Sequence, residues 1–175
     1  STDDYTVKLN GNETYHDFYL REQQNFIPLR NFDLSGGVAD EIPVLMYHHM
    51  LLNDENNFKS NSSIIAVEQF YLQMKALYEA GYTTLTLNEL EKWVLGEMEV
   101  PKKSVVITFD DGYLSNYVYA YPILKSFGFR GSQFLITHTT TEESAEFNPN
   151  TLLQYLSWED IAKTLDVFEY ANHTH

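Results

Sequence analysis

Cysteine is missing from this chain of 175 residues. That absence excludes a disulfide scaffold, a thiol nucleophile and any metal centre built on thiolates. It leaves the compartment open, because disulfide-free proteins occur both inside and outside cells. Positive charge is scarce. Lys and Arg number 11 against 25 Asp and Glu, a formal charge of −14. A chain this acidic repels a phosphate backbone, which argues against nucleic acid as a partner. No apolar run approaches the roughly 20 residues of a membrane-spanning helix. The opening Ser1-Thr2-Asp3-Asp4-Tyr5 has neither the basic nor the apolar part of a secretion signal, leaving a cytoplasmic protein or a signal removed upstream. Several catalytic templates are absent too: G-x-S-x-G, the phosphate-cradling G-x-x-x-x-G-K and H-E-x-x-H.

What is present suits one globular domain, or a domain with an arm. Hydrophobic residues make up 43% of the chain, enough for a packed core. Residues 1–41 are polar and aromatic and read as an N-terminal arm or accessory segment. Within them Asn10-Gly11 suits a hairpin turn, and Ser35-Gly36-Gly37 suits a loop into the main domain. Residues 42–175 form a more regular unit. Pro43-Val44-Leu45-Met46-Tyr47 predicts a strand buried on both faces. Val67, Phe70, Met74, Leu77 and Tyr78 recur at helical spacing, with Gly81 placed to cap the helix. Thr86-Leu87-Asn88-Glu89 fits a capping box that opens a second helix, stopped by Gly96. Residues 104–109 predict the strongest strand, 116–127 a helix closed by Gly128, and 132–137 another strand. A polar loop spans 139–151. Ser157 then caps a short helix, and 167–172 predict a last strand. Strands alternating with helices imply a parallel sheet or a β/α barrel.

The chemistry centres on Thr108-Phe109-Asp110-Asp111-Gly112-Tyr113. The acids end a strand, and strand C-terminal ends carry the sites of β/α folds. Successive strand side chains point to opposite faces, so both acids serve one pocket only if the chain bends, and Gly112 permits a bend. A divalent metal held by one Asp relieves the repulsion and leaves the other as a base. The plainer alternative is a solvated turn. Asn172-His173-Thr174-His175 ends the last strand, and His173 and His175 share a face if the strand continues. Imidazoles there suit zinc in a His/Asp site, against the alternative of surface histidines. His48-His49 closes the first strand, as core-edge histidines or as groups touching substrate. Of the tyrosines, Tyr113 best suits a pocket lining, while Tyr117, Tyr119 and Tyr121 suit helix packing. His16 and His138 receive no role.

Together these residues resemble the polysaccharide deacetylases of carbohydrate esterase family 4, the NodB-homology domain. Val44-Leu45-Met46-Tyr47-His48-His49-Met50 is similar to the family's first strand. Phe70, Met74, Leu77 and Gly81-Tyr82 are similar to its first helix and turn. Residues 105–113 resemble its first motif closely. Tyr121-Pro122-Ile123-Leu124, Gly128-Phe129 and Phe134-Leu135 continue in order, and Asn172-His173-Thr174 resembles the start of the second motif. Gly131-Ser132-Gln133-Phe134 departs mildly from the family's Ala-Thr-x-Phe. The ordered combination outweighs the solvated-turn reading of Asp110-Asp111-Gly112.

The resemblance implies an α/β fold: a distorted β/α barrel, of which this chain carries the first half behind its arm. It implies Asp110 as catalytic base, with Asp111 and His173 as ligands of a divalent metal, most simply Zn2+. Tyr113 and His48 are the substrate-binding candidates. His175 is an intervening residue of the second motif or a substitute ligand. The implied reaction is de-N-acetylation of an N-acetylhexosamine polymer, peptidoglycan or poly-N-acetylglucosamine, with release of acetate. An extracellular or cell-surface setting follows from such a glycan. The family's other motifs are expected beyond residue 175, supplied by a second chain or a second copy. Two other readings stand beside this one. A non-catalytic carbohydrate-binding or scaffolding fragment would bind glycan without releasing acetate, and a metal-dependent phosphotransferase would act on phosphate esters instead.

Overall fold

A computed structural model describes residues 5–26 and 29–174. In chain order the elements are α1 (Tyr15–Glu22), β1 (Val44–Tyr47), β2 (His49–Leu51), β3 (Ile64–Ala66), α2 (Val67–Glu79), β4 (Thr83–Thr84) and α3 (Leu87–Val94). They continue with β5 (Ser104–Asp111), α4 (Tyr121–Phe127), β6 (Gly131–Ile136), α5 (Trp158–Ala162) and β7 (Phe168–Thr174). Short 3-10 turns follow α1 and β6, and a π-helical turn, Asn116–Ala120, leads into α4.

The main sheet is parallel, in the order β1-β5-β6-β7, with β4 paired to the start of β5. It is the open, incomplete part of a distorted β/α barrel. Parallel pairing places every strand's C-terminal end at one rim, which is why residues far apart in sequence meet there. β5 runs through the middle, and Ser104 to Phe109 are all buried. Its β-branched and aromatic residues fit a strand covered on both faces.

The central core joins Phe70 and Met74 of α2, Ile107 and Phe109 of β5, Leu124 of α4 and Phe168 of β7. Each fully buried Phe of this set contributes roughly 1.5–3 kcal/mol. Gly131 explains the departure noted at the start of β6. A Cβ there would stand 2.9 Å from Phe109 Cε2 and 3.0 Å from Phe168 Cε1. The two rings fill the space that even an alanine methyl needs.

Local signals act as expected. Thr86 and Glu89 form a reciprocal capping box on α3, as do Ser157 and Asp160 on α5. A third box, Thr14 with Asp17, opens α1.

Two expectations are corrected. Asn10-Gly11 begins a turn, but no strand flanks it; the chain enters α1 through its capping box instead. Phe18 of that helix buries against Leu156, Ile161 and Leu165, so 5–26 adds a second core over α5. β1 is not buried on both faces. Leu45 and Tyr47 turn inward, while Val44 and Met46 are 53% and 63% exposed. β1 is an edge strand, and no described element covers its outer face. The apolar groove it lines with Gln73, Ala76 and Leu77 of α2 holds none of the candidate site residues.

Candidate active site

Three strand ends deliver the site. β5 brings Asp110 and Asp111, the end of β1 brings His48, and β7 brings His173. His173 Nε2 lies 3.7 Å from Asp110 Oδ2 and 3.7 Å from Asp111 Oδ1. His48 Nε2 lies 3.8 Å from the same Asp110 oxygen. All four side chains are partly exposed at the rim. These separations exceed a hydrogen bond, so the groups face a shared space rather than saturating one another.

The bend that lets adjacent acids share that space is visible in the backbone. Asp111 has φ 71°, and it is the one described non-glycine residue with a positive φ; Gly112 follows with φ 70°. A left-handed non-glycine residue costs of the order of 1–3 kcal/mol and persists where its surroundings hold it in place. Here the hold comes from both sides. Asp111 is paired in register with Leu135 of β6, and Gly112 packs so closely on Leu135 that an added Cβ would stand 2.8 Å from its Cδ2. The backbone beyond is clamped, with Leu156 N–H donating to Gly112 O and Leu114 N–H donating to Gln154 O, each at 2.8 Å.

Tyr113 sits under this clamp. Its ring stacks on His49 at 4.9 Å and on Tyr155 at 5.6 Å. Burial and the nearby Asp111 carboxylate push its phenol upward, which keeps it neutral and a donor. His49 is buried. Its Nδ1 meets Ser115 Oγ at 2.8 Å, and its Nε2 has no partner among the described residues. Burial pushes the imidazole down to about 4, so it is neutral at ordinary pH.

The residues picked out by sequence thus come together: Asp110, Asp111, His173, His48 and Tyr113 occupy one rim. His48 faces an acid, and His49 takes the core position. His175 lies outside the described residues. The tyrosines after Tyr113 serve packing, with Tyr119 donating to Glu55 and Tyr121 to Asp166. Sequence reasoning passed over Tyr155 and the pairing of His49 with Ser115. Both depend on contacts between segments remote in the chain, which no local signal in the sequence marks.

Asp111 and His173 suit a metal in chemical type. Oxygen and nitrogen donors that share a tetrahedral zinc at about 2.0–2.2 Å lie roughly 3.3–3.6 Å apart, close to the separation seen here. Among the described residues, however, no group of three donors is arranged to hold a metal ion. The pair fits part of a site, not a closed one.

The family model described as polysaccharide deacetylase matches residues 97–175. Among curated proteins, YxkH of Bacillus subtilis, named provisionally as a polysaccharide deacetylase, is 37% identical over 109 residues, covering 59% of this chain and 37% of YxkH. The poly-beta-1,6-N-acetyl-D-glucosamine N-deacetylase of Staphylococcus aureus is 32% identical over 140 residues, covering 75% of this chain and 47% of that protein. The chain therefore spans less than half the length of either relative. Among solved structures, IcaB from Ammonifex degensii matches with TM-score 0.61 at 28% identity, covering 77% of this chain and 53% of that one. The Streptococcus pyogenes deacetylase PplD, solved in complex with acetate, matches with TM-score 0.60 at 25% identity, covering 75% and 55%.

Proposed function

We propose, from a chain that belongs to the polysaccharide deacetylase family and carries the N-terminal part of its domain, that this protein takes part in metal-dependent de-N-acetylation of an N-acetylhexosamine polymer. The substrate class is poly-N-acetylglucosamine or peptidoglycan glycan, and the setting is the cell surface or the extracellular space. The observation that carries the proposal is one nitrogen, His173 Nε2, set 3.7 Å from both Asp110 Oδ2 and Asp111 Oδ1.

The roles follow from position. Asp111 and His173 are the residues that would hold the ion. A bound divalent ion such as zinc supplies Lewis-acid polarisation of the acetamide carbonyl and makes water easier to deprotonate. Asp110 accepts the proton of the attacking water. The water oxygen bonds to the carbonyl carbon; as the carbon–nitrogen bond breaks, the nitrogen takes the proton that Asp110 accepted, and a free amine and acetic acid leave, the acid ionising to acetate. His48, 3.8 Å from the Asp110 carboxylate, faces the same space and is placed to contact substrate. Tyr113 walls the site, and its phenol offers a hydrogen bond to the sugar.

Zinc titration with calorimetry and acetate release from N-acetylglucosamine oligomers test this. Expected are saturable zinc binding that weakens in Asp111→Ala, and acetate release abolished by chelation. Zinc affinity unchanged in Asp111→Ala, or acetate release indifferent to chelation, would remove the metal assignment. A second reading, a non-catalytic carbohydrate-binding fragment, is favoured by the shortage of a third donor among the described residues. It predicts oligomer binding with no acetate released at any zinc concentration.

A further inference from the structure

The loop before α5 is built onto the site rather than hung beside it. Tyr155 forms an antiparallel bridge with Tyr113, flanked by the two backbone hydrogen bonds that clamp Gly112 and Leu114. Its ring is the outer member of a three-ring stack, His49–Tyr113–Tyr155, with neighbouring planes inclined by only 23° and 26°. Leu156 behind it is buried, while Tyr155 itself is partly exposed. The loop is held by hydrogen bonds within it and one from Asn57. Gln154 accepts from Asn148 N–H at 2.8 Å and donates to Glu146 O at 3.0 Å, and Asn57 donates to Asn150 Oδ1 at 2.6 Å. Neither phenol of the pair, Tyr113 or Tyr155, has a hydrogen-bond partner among the described residues.

A flat, partly exposed aromatic face stacked on Tyr113, itself two residues past Asp111, suits the apolar C–H face of a pyranose ring, with a free hydroxyl at its edge for a sugar oxygen. Because the ring is already held, binding on it loses little conformational freedom. We propose that Tyr155 is a substrate-binding residue that seats the sugar next to the one whose acetamido group faces Asp110 and Asp111. It thereby sets a preference for a polymer over a single sugar. This rests on the deacetylase reading of the site.

The test is calorimetric binding of a β-linked N-acetylglucosamine pentamer and of the monomer to the full chain, with acetate release measured in parallel. The wild-type chain should bind the pentamer more tightly than the monomer. Tyr155→Ala should weaken pentamer binding about five- to tenfold and leave monomer binding unchanged, while Tyr155→Phe keeps most of the pentamer affinity. Near-ultraviolet dichroism verifies the fold, and Tyr155→Leu serves if the alanine variant is unfolded. Pentamer affinity unchanged in Tyr155→Ala or Tyr155→Leu, a loss in Tyr155→Phe as large as in Tyr155→Ala, or a wild type that does not discriminate pentamer from monomer would each overturn the platform. Oligomer binding that depends on Tyr155 without any acetate release would overturn the reaction and leave the platform standing.

Discussion

The two ends of the strands use the same residue types in opposite ways. At the C-terminal rim, acids and imidazoles stand 3.7–3.8 Å apart, partly exposed and short of hydrogen bonding. At the N-terminal ends of β6 and β7, an acid of the same kind is fully enclosed. Glu89 is 0% exposed, bonded by Arg30 through Nη2 at 2.6 Å and Nε at 3.0 Å, and by Thr86 N–H at 3.0 Å. Burial alone would raise its carboxyl, but the bonds from Arg30 and Thr86 outweigh burial and hold it below the usual range. Glu169 nearby accepts from Ser132 Oγ at 2.6 Å and Leu87 N–H at 2.5 Å, yet burial dominates there and raises its carboxyl. Arg130 is the exception at this end, with Nε and Nη2 buried and unpartnered among the described residues. Saturated charge ties the arm to the barrel; unsaturated charge at the rim is left free for chemistry.

The contrast can be broken by experiment, starting with the rim. Asp110→Asn keeps shape and removes the proton acceptor proposed for the reaction. Acetate release should fall by roughly 10²–10⁴-fold with zinc affinity kept. An unchanged rate would show that the base lies elsewhere.

Arg30→Met is the matching change at the lower end. It leaves Glu89 enclosed without its cation, a loss of about 3 kcal/mol in urea unfolding. Zinc affinity should stay the same, and a rim that loses its metal in this variant would erase the distinction between the two ends.

A third probe is acid. His49 has a folded value of about 4 against an ordinary 6.5, so the unfolded chain binds the extra proton first. Stability from this group is full above about 6.5 and is lost as pH falls through 4, by an amount of up to about 3 kcal/mol. Unfolding midpoints measured from pH 7 to 4 should show this slope in the wild type and a shallower one in His49→Gln. Equal slopes would mean that the buried imidazole does not govern it.

Gly112→Ala should cost about 1–3 kcal/mol, because it places a methyl at a positive φ against Leu135. The smallest effect is the reverse change next door. Asp111→Gly should relieve a strained backbone and raise stability by up to about 1 kcal/mol while metal affinity disappears. A variant that loses both would show that Asp111 serves the fold as well as the site.

Much of this was legible in the chain. Capping boxes at Thr86 and Ser157 and the glycines after α2, α3 and α4 each follow from interactions within a few residues, and they lie where the pattern placed them. Asp110, Asp111 and His173 stood out as candidates because motif chemistry travels with local sequence, and the structure brings them to one rim. β1 was misread because a short apolar run has the same composition whether it is covered on both faces or stands at an edge. The turn at Asn10-Gly11 was misread because its flanks carry no partner strand, and a capping box at Thr14 competed for the same residues.

Alone, the order of residues determined which segments become helix or strand, and which side chains could bind a metal or move a proton. It did so because hydrogen bonding, capping and side-chain periodicity are short-range. Tertiary structure decided that His173 meets Asp110 and Asp111, that Asp111 takes a left-handed turn against Leu135, and that Tyr155 stacks on Tyr113. Those outcomes depend on parallel pairing across β5, β6 and β7 and on packing between distant segments, whose geometry exists only once the sheet has formed.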